Sequence, residues 1–362
     1  MLLTLAALPC GLRAAGSSVR PRSLQFPADF GAHPNTSIEW WYATGWLNAA
    51  SAEAAAVPSF GFQITFFRSR TSVAADHASR FAATQLIFAH AALTDLGARR
   101  LRHDQRIARA GFGIAAADEG DTSVRLRDWR LARAGAPEPP GASVYNAHIN
   151  SDAAGFGLDL TLATTQPLLL QGTAGYSRKG PAPEQASHYY SQPQLKVAGT
   201  LRLDGRAQPV RGRAWLDHEW SDSLLDPQAV GWDWIGMNLA DGSALTAFRL
   251  RRADGSSVYA GGSFRAAGAV ARNFGPDEVR MTPGRTWASP SSRASYPVAW
   301  RVDTPAGTFS VNALLDDQEL DGSRASTGTV YWEGLSELRD AADRVVGHGY
   351  LEMTGYAGRL RL

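Results

Sequence analysis

WDWIGMNLADGSALTAFRLRRADG, residues 232–255, holds two apolar runs on either side of Asp241-Gly242. An Asp-Gly pair between such runs favours a tight hairpin, because glycine accepts the positive φ that the turn needs. The stretch therefore reads as two antiparallel strands. The same grammar extends outward. SFGFQITFFR (59–68), ATQLIFAHAALTD (83–95), DLTLATTQPLLLQG (159–172), LKVAGTLRL (195–203) and VRGRAWLDHEW (210–220) are strand-like, as are TFSVNALL (308–315), TVYWEGLSEL (329–338) and GYLEMTGYAGRL (349–360). Many alternate apolar with polar residues, and Ala-Asp-Gly or Leu-Asp-Gly punctuates them. Helical periodicity is nearly absent, with room for one short helical turn in HASRFAATQ (77–85). Three irregular stretches are expected: a loop at 133–143, a long ordered connection at 178–193, and a third segment at 275–297.

Many short antiparallel strands with aromatic-rich faces predict an all-β protein of barrels or sandwiches rather than a parallel sheet. The 362 residues, 44% of them hydrophobic, exceed what one core usually needs, so two domains are expected. No apolar run approaches the ~20 residues of a membrane-spanning helix. Net charge is +2, and only Lys179 and Lys196 are lysines; the arginines are scattered, which argues against a nucleic-acid partner.

Cys10 is the single cysteine, so an intramolecular disulfide is excluded. It lies in MLLTLAALPCGLRAAG, whose apolar run and small residues read as a secretory signal processed near Ala14-Ala15, giving a periplasmic protein. Pro9 stands where a lipoprotein signal would place a small residue.

Two aromatic clusters carry acids. In IEWWYATGWL (38–47), strand alternation puts Glu39 and Trp41 on one face and Trp40 and Tyr42 on the other. A carboxylate among rings is costly unless it is paired or functional. In the second half, Trp215-Leu216-Asp217-His218-Glu219-Trp220 is followed by Gly231-Trp232-Asp233-Trp234. His218 beside Asp217 or Glu219 has ligand chemistry, but neighbouring strand residues point to opposite faces, and HExxH and cysteine ligands are missing. No metal or other cofactor is expected. There is no G-x-S-x-G elbow for a serine nucleophile. His218 is either a hydrogen-bonded core residue or a group that projects with one acid into an aromatic pocket.

Taken together, FPADFGAHPNTSIEWWYATGWL (26–47), FGFQITFFR (60–68), HYYSQPQLKVAGTL (188–201), GRAWLDHEWSDSLLD (212–226), 231–255 and YLEMTGY (350–356) resemble the carotenoid 1,2-hydratase and secreted hydrolase-like lipocalin family. That resemblance implies two lipocalin-like antiparallel barrels packed together, with a hydrophobic site near their junction; the family shades into pericyclases that fold linear polyenes. The expected division is a signal segment and tail at 1–23, one barrel at 24–222 and the other at 223–362.

Hydration of an alkene needs a protonated carboxyl kept loaded by an apolar site, and aromatic faces that stabilise the carbocation. The resemblance leads one to expect a Tyr-x-Asp-like acid in the strand at 243–249, but that strand carries no acid before Arg249. The proton donor is thus left open among Asp217, Glu219, Asp233 and Glu39, with His218 beside them. Trp41, Tyr189, Tyr190, Trp220, Trp232 and Trp234 are the expected pocket rings. The partner is a polyene, isoprenoid or lipid, either transformed by protonation and water addition or isomerisation, or carried without chemistry.

Overall fold

The computed structural model describes residues 19–53, 57–74, 76–135, 142–222, 225–322 and 328–360. The apolar segment 1–15, with Cys10, lies outside them. The protein is all-β: a 13-stranded and a 10-stranded antiparallel sheet, with a small two-stranded sheet. The strands of the first run from Ile38 to Ser221, and those of the second from Gly231 to Met353. The only helical turn among the described residues is a 3-10 turn at Ala28–Phe30. The 77–85 stretch forms turns instead, and the expected connection at 178–193 is mostly sheet, because HYYSQP opens the long strand Ala186–Leu203. The 275–297 stretch holds short strands at Arg280–Pro283, Thr286–Ala288 and Ser295–Pro297.

Each large sheet curls around its own core. At the ends of the first, the strands Gln85–Asp95 and Arg100–Arg109 approach Ser123–Leu126, nearly closing a barrel over Trp41, Phe62, Phe66, Trp129 and Leu216. In the second, Phe274 and Met281 come from opposite edge strands and meet in one cluster with Ile235, Met237, Trp300 and Trp332. These are two lipocalin-like barrels. The hairpin at Asp241-Gly242 forms as read: Gly242 has φ +91°, and the Leu239 amide donates to the Ser243 carbonyl at 2.9 Å.

Alternation decides what each strand gives to its core and what it gives to the other barrel. The strand Ile38–Ala49 sends Trp41, Ala43 and Leu47 inward; Tyr42 faces out and joins Trp215, Trp234, Phe248, Leu335 and Tyr350 in a third cluster between the sheets. Burying such side chains contributes ~2 kcal/mol each. Gly61 permits this packing, since a Cβ there would lie 2.7 Å from the Tyr350 hydroxyl and 2.9 Å from the Leu335 Cβ. Polar contacts also cross the junction: the Gln194 backbone N–H donates to Asn238 Oδ1 at 2.7 Å, and Asn238 Nδ2 donates to the Ala214 carbonyl at 3.0 Å.

Candidate functional site: an acid-lined cavity between the barrels

The outward faces of the two barrels line a cavity of about 130 Å³ that opens to solvent. Its walls are rows of directly paired residues. One row of the first sheet reads Tyr189, Glu219, Trp40, Phe67, Phe88; the next reads Ser191, Asp217, Tyr42, Thr65, His90. The facing row of the second sheet reads Phe248, Trp234, Glu352, Glu333. Paired residues share a face, so each row converges without help from loops.

Four carboxyls meet here. Glu219 is ion-paired with Lys179 at 3.0 Å and accepts from the Ser187 hydroxyl. Lys179 itself lies 4.5 Å over both the Tyr189 and Phe248 rings. Asp217 accepts from Tyr189 at 2.8 Å, Trp215 Nε1 at 2.7 Å and the Ser191 hydroxyl. Burial nevertheless pushes Asp217 up to about 7. Glu333 Oε2 accepts from Gln63 Nε2 at 2.8 Å, and the Tyr42 hydroxyl is buried beside this carboxyl. Burial, and then the charge of Glu352, push Glu333 well above the usual carboxylate range, with a hydrogen bond from Tyr42 opposing them. Burial raises Glu352 to about 7, with Asp217 and Glu219 adding to the effect and a hydrogen bond from Trp232 opposing it. His90 shares a 2.7 Å hydrogen bond with the Tyr331 hydroxyl, and burial keeps its ring neutral, with a pKa of about 3.

Asp217, Glu219, Tyr189, Trp232 and Trp234, which the sequence puts at the pocket, all line this cavity. Glu39, Trp41, Tyr190, His218 and Trp220 do not, because alternation turns them into the end of the first barrel. There Glu39 Oε1 is hydrogen-bonded to His218 Nε2 at 2.8 Å and His33 Nδ1 at 2.7 Å, and Glu39 Oε2 accepts from Arg68 Nε and the His33 amide, both at 2.8 Å. His218 Nδ1 reaches the Tyr190 hydroxyl at 3.0 Å; Trp41 stacks on His218, and Trp220 on His33. Burial works against the Glu39 charge, but the two histidine hydrogen bonds outweigh it and hold the carboxyl well below the usual range. Burial also lowers His218. His33, Glu39 and His218 offer ligand atoms within 4.8 Å of one another. Both Glu39 oxygens are already filled by donors, and the Arg68 guanidinium opposes a second cation, so the group does not fit a metal site. Asp233 points into the second barrel, bonded to Arg249 Nε at 2.7 Å and the Tyr356 hydroxyl at 2.9 Å. The single pocket expected from the sequence is thus divided by strand parity into one cavity and two internal ion networks.

Glu333, Glu352, Tyr42, Gln63 and Lys179 were missed. The signal was present for the two acids: TVYWEGL and YLEMTGY each place one carboxyl in an apolar strand, the same oddity that drew attention to Glu39.

Two curled antiparallel barrels with an aromatic, acid-bearing cavity at their junction define a lipocalin-like double-barrel protein. The chain belongs to the AttH-like family, whose model matches residues 17–356. An AttH-type protein of Nitrosomonas europaea is 46% identical, with TM-score 0.82 over 94% of this chain and 99% of that one. Kievitone hydratase from Nectria haematococca shares the fold at 15% identity, with TM-score 0.62 over 95% and 94%. CghA does so at 15% identity, with TM-score 0.57 over 95% of both chains. No curated protein sequence matches the chain.

Proposed function

We propose that the protein is an acid–base enzyme that protonates an alkene of a hydrophobic, polyene- or isoprenoid-like substrate in the cavity between its barrels, with water addition or isomerisation as the outcome. The observation that carries this reading is the buried, face-to-face Glu333–Glu352 pair in a largely apolar cavity, where burial raises both carboxyls above the usual range and so favours a retained proton. Glu333, which lines the cavity, is the acid in this reading. The Trp234, Trp232 and Phe248 rings line the same space and stabilise the developing cation. Asp217, titrating near neutrality, is placed to take a proton from an adding water or from the cation itself.

The test is to incubate the protein with a panel of linear isoprenoids and polyenes and follow the products by mass spectrometry. A product heavier by one water, or an isomer of equal mass, is expected from wild type and not from Glu333→Gln. Native mass spectra showing an intact lipid bound, with no conversion of any probe, would identify a carrier instead.

A further inference from the structure

Among the described residues, half of the large apolar side chains left in solvent gather at one end of the first barrel: Phe81 (67% exposed), Phe112 (47%), Ile107 (41%) and Ile114 (36%). Phe112 sits between Gly111 and Gly113 with φ +55°, a left-handed conformation that bulky residues avoid. The turn thus holds a half-exposed ring at the surface in a conformation that costs energy. Phe81 stacks on Phe112 at 5.5 Å. Arginines surround the rings: Arg109 lies 4.4 Å over Phe112, and Arg80 lies 5.7 Å from both rings. Arg109 also donates to the Arg80 and Ala82 carbonyls, and Arg125 donates to the Gly113 carbonyl at 2.6 Å. Rings and carbonyls hold these cations, so no carboxylate neutralises them among the described residues.

We propose that this patch docks the protein onto an anionic phospholipid surface, the rings entering the acyl boundary and the arginines meeting phosphates. Self-association through the patch is disfavoured, because it would set two arginine clusters face to face. The location gives the patch a use. Ile107 is paired directly with Phe88, which stacks on Phe67 at 4.6 Å, and both phenylalanines line the cavity. One apolar row therefore leads from the docking patch to the acids. The entry route rests on the function proposed above; the docking itself does not, and it is read without turnover.

Full-length protein is sedimented with phosphatidylglycerol and with phosphatidylcholine vesicles. Wild type is expected to bind the anionic vesicles, with affinity falling as salt rises. The Phe81→Ser/Phe112→Asn double variant is expected to lose affinity about tenfold or more, and Arg80→Gln/Arg109→Gln to lose most of the salt dependence. Asparagine suits the left-handed position, so melting temperature is expected to hold and to confirm that the variants are folded. The proposal is overturned if wild type ignores phosphatidylglycerol vesicles, if the ring variant binds them as wild type does, or if ultracentrifugation without lipid shows a dimer that the ring substitutions dissociate.

Discussion

Glu333 stands directly opposite Glu352 on adjacent antiparallel strands, with both carboxyls turned into the cavity between the barrels. Like charges in that register repel at close range, and the pair is fully desolvated, so it resolves the conflict by keeping a proton. Both groups bind protons more tightly folded than unfolded. Their contribution to stability is complete below the ordinary glutamate value of 4.5 and fades as pH rises through the raised values, about 7 for Glu352. Asp217 acts in the same direction. Wild type should therefore lose stability as pH rises through this window, at a slope on the order of 1 kcal/mol per pH unit for each group. Thermal melts across pH check this, and the slope should flatten in Glu333→Gln.

Turnover should depend on the same proton. If Glu333 is the acid, Glu333→Gln lowers the rate by roughly 10²–10⁴-fold while the fold persists, since glutamine keeps the contact with Gln63. Wild-type activity should decline on the alkaline side of its pH profile as the pair ionises. An unchanged rate in the variant, measured with a converted probe, would remove Glu333 from the reaction.

Lys179 is buried beside Glu219 and between two rings. Lys179→Ala strands a buried carboxylate and should cost about 3–5 kcal/mol. Adding Glu219→Ala should recover part of that loss. A double-mutant cycle by denaturant titration measures the coupling, and additive losses would show that the pair does not interact.

His218 serves the first barrel's internal network rather than the cavity. His218→Ala removes one donor from the buried Glu39 and leaves a void, so destabilisation by roughly 1–3 kcal/mol is expected. Below the melting temperature, binding or turnover of a hydrophobic probe should survive. Selective loss of turnover at unchanged stability would place His218 in the chemistry.

The barrels were legible because the evidence for them is local. Asp241-Gly242 between apolar runs forms a hairpin whatever surrounds it, and alternation correctly separated Glu39 and Trp41 from Trp40 and Tyr42. The site was only half legible, because a strand's parity tells which residues share a face but not which face meets the other barrel. Asp217 and Glu219 could therefore not be told from His218 and Trp220 by sequence alone. Glu333 and Glu352 lie 19 positions apart in the chain, and only the register of the two strands sets them face to face. The Pro/Gly-rich stretch 178–193 reads as an ordered connection because it carries aromatics, yet its HYYSQP end belongs to an 18-residue strand that absorbs the irregularity as a register shift between Gln192 and Leu195.

The central claim is that a carboxyl in the cavity is still protonated near neutral pH, and infrared spectroscopy reads that state without any substrate. A difference spectrum between wild type and Glu333→Gln, recorded near neutral pH, should contain the C=O stretch of a protonated carboxylic acid, and that band should fade as pH is raised and the carboxyl ionises. A difference spectrum showing only ionised carboxylate bands at neutral pH would contradict the account.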